Sequence, residues 1–180
     1  MVKRAMTPST IEVIATPGDH RVARLAALAI GVHLFEATLP SPLPGVKPGL
    51  ANIITLYVLY RFDFATAVWV SLLRVVAGSL LLGHFLSPTF VLSLCGALSS
   101  LLVLGVSKRL LTHQFGPVSL SVLAAFAHIA GQLLVVWLWL IPHSGLAYLV
   151  PLFAAAALLF GTVNGFITAR LLRDNEALFK

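Results

Sequence analysis

The stretch Glu36–Asn52, EATLPSPLPGVKPGLAN, interrupts an otherwise apolar chain. It gathers one carboxylate, one lysine, four prolines and two glycines, and it ends on an asparagine. Apolar runs flank it on both sides. In lipid, every backbone polar group must be satisfied internally, so irregular backbone survives only where protein or a water-filled cavity surrounds it. Ionisable residues beside such backbone are expensive and mark functional positions. The stretch reads as a polar, kinked element at the edge of an apolar bundle, where a membrane protein would build a site.

The rest of the chain supports that setting. Of its 180 residues, 59% are hydrophobic and 10% charged, and the mean hydropathy is +0.99. A soluble domain carries about 25% charged residues. Apolarity on this scale, spread along the whole length, predicts an all-α, polytopic membrane protein. The single cysteine, Cys95, leaves no intramolecular disulfide. The pI near 10.1 does not indicate nucleic acid, because the basic residues sit at the ends of apolar segments rather than in one patch.

Six apolar segments are expected: Ala23–Leu39, Gly49–Tyr60, Phe64–Leu82, Ser87–Ser107, Val118–Ile141 and Leu146–Leu172. A spanning helix needs about 20 residues. The second segment is shorter, so it crosses a thin region, runs on into Arg61–Phe62, or is partly re-entrant. The breaks contain Pro, Gly or charge, as loops require. Three parts follow: a polar tail over 1–20, disordered or surface-lying and without an apolar signal core, a six-helix transmembrane domain over 21–175, and a short C-terminal end over 176–180.

Charge orients the bundle. Lys3, Arg4, Arg21 and Arg24 precede the first helix, Arg61 follows the second, Lys108 and Arg109 follow the fourth, and Arg170, Arg173 and Lys180 close the chain. Six crossings place all of these on one side and only Lys47 on the other. Basic loops stay cytoplasmic. Both termini are therefore expected in the cytoplasm, in a multi-pass cell-membrane protein, with the proline-rich loop outside.

Polar groups inside the membrane cost free energy and need partners or roles, about 2.5–3.5 kcal/mol for a central Arg, Lys or Asp. Glu36 lies near the outer end of the first segment, on one face with His33. Arg74 lies midway along the third. His128 and Gln132 are four apart on the fifth, Asn164 lies in the sixth, and Asn52 opens the second. Glu36 and Arg74 either pair and lock two helices together or bind a ligand. Neutral groups such as Asn164, Gln132 and Ser99 serve as interhelical glue or as ligand contacts. Six scattered histidines without ligand spacing do not suggest a metal. Trp69, Trp137 and Trp139 suit interfacial anchoring.

Small residues recur every four positions on two helices: Ala23, Ala27 and Gly31 on the first, and Ala157, Gly161, Gly165 and Ala169 on the sixth. Such stripes let another helix approach closely, either within the bundle or from a partner subunit.

Absences narrow the chemistry. The sequence has no GxxxxGK[ST] loop, no HExxH and no CxxC. Its three aspartates, Asp19, Asp63 and Asp174, are far apart. Chemistry on a diphosphate with Mg²⁺ needs clustered carboxylates. A self-sufficient hydrolase or transferase is disfavoured, and no cofactor is implied. The two halves share no proline or charge pattern, which weighs against an inverted-repeat transporter.

Together, the run Glu36…LPGVKPGLANIITL, the stretch SLLRVVAGSLLLG with Arg74 and Gly83, the H-x-x-G-Q of His128–Gln132, and Asn164 resemble the Gx transporter family, also named heptaprenyl diphosphate synthase component I. The resemblance covers roughly residues 22–172. Pro48 departs from it, standing where an apolar residue is expected. The resemblance implies a six-helix bundle similar to the substrate-specific components of energy-coupling-factor transporters. Such components bind a small molecule near the outer face and dock on a transmembrane partner driven by ATPases. The family's other name implies instead an accessory membrane subunit beside the catalytic subunit of a prenyl diphosphate synthase. The expected substrate site is Glu36, Lys47, Asn52, Arg74, His128, Gln132 and Asn164, and the expected docking face is Ala23, Ala27 and Gly31.

Overall fold

The computed structural model describes residues 15–40, 48–110 and 115–178, with side chains through 174. Among these residues the chain is all helix. It forms α1 (Pro17–Thr38), α2 (Ala51–Arg61), α3 (Phe64–Leu81), α4 (Pro88–Leu110), α5 (Pro117–Val135) and α6 (Val150–Leu178). A π turn over Val136–Leu140 extends α5, and a 3-10 segment over Ser144–Leu149 leads into α6.

The first helix begins inside the stretch expected as a tail. Thr16 caps it, and the Asp19 carboxylate accepts a hydrogen bond from the Thr16 amide at 2.8 Å. Pro17 occupies the first turn, where its missing N–H costs nothing and its fixed φ favours the helix. Proline alone reads as a breaker, whereas proline behind a threonine cap is a start signal. The Thr16 bonds also hold the Asp19 carboxyl below the usual carboxylate range. Asp63 caps α3 in the same way through the Thr66 amide at 2.8 Å.

Among the described residues, four spans are long and apolar enough to cross a membrane: α3, α4, Pro117–Leu140, and Ser144–Asp174. The chain is thus a membrane-embedded helical protein. Helix α1 carries Asp19, Arg21, Arg24 and Glu36 along its 22 residues. Helix α2 has 11 residues, about 16 Å at 1.5 Å per residue, or roughly half of a 30 Å hydrocarbon core. It does run on into Arg61, one of the three alternatives for the short segment.

This short helix lies at the centre of the bundle. Leu56, Val58 and Leu59 are buried, and α2 packs against α1, α3 and α6. Helix α4 packs on α5 and α5 on α6, and Leu104, Leu120 and Ala124 join the cluster around α2. Close approach of α6 to α5 depends on Gly165, where an added Cβ would stand 2.6 Å from the Val118 Cα.

One end of the bundle is tied by side chains. Lys108 Nζ donates to the Leu59 carbonyl at 2.9 Å, and the Tyr60 hydroxyl donates to the Phe115 carbonyl at 3.1 Å. The Arg21 guanidinium stacks 4.9 Å over the Phe62 ring. The start of α1, the ends of α2 and α4 and the start of α5 therefore share this end, which is the basic one. From here α2 climbs only partway, so its N-terminus and residues 48–50 sit inside the bundle rather than at its far surface.

Candidate functional site

The proline-rich stretch enters the protein through residues 48–50, and two helices hold it there. The Glu36 carboxylate, near the end of α1 and 3% exposed, accepts a hydrogen bond from the Gly49 amide. From the other side, Asn164 Nδ2 on α6 donates to the carbonyls of Pro48 at 3.0 Å and Gly49 at 3.2 Å. Gly49 has φ +68°, a left-handed conformation that costs a residue with a Cβ about 1–2 kcal/mol. The Gly49 carbonyl then accepts from the Asn52 amide at 2.9 Å to open α2. These bonds satisfy backbone groups that lipid could not.

Glu36 and Arg74 do not form a direct ion pair. Among the described residues, the pair within 4.0 Å is Arg170–Asp174 at the exposed end of α6. Arg74 is 6% exposed and faces Glu36 only at electrostatic range, because Glu36 is committed to Gly49. Its Nε has no hydrogen-bond partner. Beyond it on α5, His128 lies within electrostatic range of Arg74 and hydrogen-bonds the Gly96 backbone. A Cβ at Gly96 would stand 2.7 Å from His128 Nε2, so glycine makes room for the ring. His128 Nδ1 is buried without a partner. Glu36, Arg74 and His128 thus form a layer of ionisable side chains, the charged layer of Glu36 and Arg74 with the His128 imidazole beside it, across α1, α3 and α5.

A second polar layer borders it. A small cavity is lined by Asn52 and Thr55 of α2, Ser100 of α4, Ser121 of α5 and Asn164 of α6. Water centres can occupy about 10 Å³ of it, roughly what one water molecule needs. Thr55 Oγ1 and Asn164 Oδ1 are buried and have no hydrogen-bond partner.

The expected site residues therefore divide. Asn52 and Asn164 share the neutral cavity, while Glu36, Arg74 and His128 share the ionisable layer. Gln132 is half-buried one turn beyond His128 and does not line the cavity. Lys47 lies outside the described residues. Thr55, Ser100 and Ser121 were not anticipated. Only Thr55 gave a signal, as a polar residue three positions after Asn52 in an otherwise apolar helix.

The two small-residue stripes also part. Ala157, Gly161 and Gly165 are buried, and both glycines pack on α5. Ala23, Ala27 and Gly31 are exposed, and an added Cβ at Gly31 would meet nothing within 4 Å. The inner face of α1 is built instead by Ala26, Ala29 and Glu36.

The family model described as heptaprenyl diphosphate synthase component I matches residues 25–171, from early α1 to late α6. The chain belongs to that family. No curated protein and no solved structure matches it.

Proposed function

We propose that the chain is the non-catalytic membrane component of a polyprenyl diphosphate synthase, acting with a separate carboxylate-rich catalytic subunit. The observation that carries this reading is the family match over residues 25–171. Both termini and the basic end of the bundle face the cytoplasm, where a soluble catalytic partner would meet them, and the proline-rich loop enters from the outer side. Affinity purification from membranes tests the reading: a prenyl diphosphate synthase subunit co-purifies, and deletion shortens or depletes quinone side chains. No such partner and unchanged side chains would overturn it.

A second reading has its own support. Polar residues from several helices meet inside the bundle, and Arg74, His128, Thr55 and Asn164 each keep an unpartnered atom. Buried polar groups normally find partners. In this reading the chain is the substrate-binding component of a small-molecule transporter, similar to those of energy-coupling-factor systems. Arg74 holds an anionic ligand group, Glu36 orients the loop, and His128, Gln132, Asn52 and Asn164 supply hydrogen bonds, with Lys47 contributing from the loop. The exposed face of Ala23, Ala27 and Gly31 receives a transmembrane partner, and ATPases supply the energy. Native mass spectrometry of the detergent-purified protein checks this: a retained small molecule, lost in Arg74→Ala, supports it, and an empty wild type contradicts it.

A further inference from the structure

We infer that the neutral cavity between α2, α4, α5 and α6 is a binding site for a small monovalent cation of sodium size. The inference rests on the lining and on the two unpartnered oxygens, not on either functional reading.

The donor set decides the class of ligand. Asn52, Thr55, Ser100, Ser121 and Asn164 present hydroxyl and amide groups, with no carboxylate, imidazole or thiolate among them. A divalent cation requires carboxylates to offset its dehydration, and transition metals prefer nitrogen or sulfur. An anion would face the Asn164 oxygen, because the amide nitrogen is engaged with the Pro48 and Gly49 carbonyls. Neutral oxygens suit a singly charged cation.

Two of these oxygens call for an occupant. Thr55 and Asn164 are each 4% exposed, and their Oγ1 and Oδ1 atoms have no hydrogen-bond partner. Leaving such an acceptor unsatisfied costs its full desolvation penalty. The space suits one small ion, since water centres can occupy about 10 Å³ of it.

Irregular backbone beside a broken helix, with side-chain oxygens from neighbouring helices, is how membrane proteins coordinate sodium near the midplane. Here Pro48 and Gly49 are irregular backbone bonded to Asn164, which lines the cavity. The Glu36 carboxylate accepts from the Gly49 amide, in the same peptide group as the Pro48 carbonyl that Asn164 holds. Arg74 is not among the lining residues, so its guanidinium does not occupy the site.

The site joins four helices. An ion bound there would stabilise the fold by mass action and tie the seating of residues 48–50 to the sodium concentration. Thermal unfolding of the purified full-length protein in detergent tests this, in sodium chloride against choline chloride at equal ionic strength. The wild type is expected to melt at a higher temperature in sodium, with a saturable dependence. Thr55→Val keeps the shape and removes one oxygen, so it should weaken the apparent sodium affinity by about tenfold or more. Ser100→Ala supplies a second variant if Thr55→Val folds poorly. Equal wild-type melting in the two salts would overturn the inference and leave the cavity to water. A full sodium effect in both variants would overturn the assignment to these oxygens.

Discussion

Glu36 illustrates how a charge can be used on the backbone rather than on another side chain. Its carboxylate could have paired with Arg74 but caps Gly49 instead, and Asn164 holds the same peptide segment from the opposite helix. Glu36→Ala is expected to cost about 1.5–3 kcal/mol, the scale of a hydrogen bond to a charged group. Glu36→Gln, which keeps an acceptor, should cost less. Asn164→Ala should cost about 1–3 kcal/mol for the carbonyls it abandons. Unfolding of detergent-solubilised variants checks the order, and a neutral Glu36→Ala would remove the carboxylate from its assigned role. Charged and amide residues were legible because each stands out in an apolar run. Ser100 and Ser121 were not, because a hydroxyl on a membrane helix often bonds its own backbone and its cost does not announce a site. The choice of Glu36 for Gly49 over Arg74 was also hidden, since it depends on where residues 48–50 enter the bundle.

Helices α1 and α6 carry the same spacing of small residues with opposite outcomes. On α6 the stripe lets α5 close in, and on α1 it faces outward while Ala26 and Ala29 build the inner side. Spacing alone cannot separate these cases, because it fixes a face and not what covers it. Gly165→Ala should therefore destabilise by about 1–3 kcal/mol, the cost of overpacking, since its Cβ would meet α5 backbone at 2.6 Å. Gly31→Ala should be neutral or stabilising by up to about 1 kcal/mol, from helix propensity. Melting temperatures of the two variants test the contrast. If Gly31→Ala proves as damaging as Gly165→Ala, α1 packs by a different face. The short α2 was legible as too short for a span. Its central burial was not, because a helix apolar all round reads equally as lipid-facing or enclosed.

Over the whole molecule, the six helices and their order could be read from apolar runs and breakers, while the start of α1 could not, because its Thr16–Pro17 cap lies in a polar stretch with no apolar run to mark it. Arg21, Lys108 and the end of α2 gather at one end, and we propose that this end is the cytoplasmic one. In a chain whose Cys95 is replaced by alanine, Thr38→Cys should react with an impermeant maleimide added outside intact cells, and Arg173→Cys should not. The reverse pattern would invert the orientation. The functional claim is tested most directly by reconstitution. The protein is placed in lipid vesicles, and the catalytic prenyl diphosphate synthase subunit from the same cells is assayed with these vesicles and with empty ones. The account predicts that the subunit is retained on the protein-bearing vesicles and that its rate or product chain length changes. No retention, with identical rate and products on both kinds of vesicle, would contradict it.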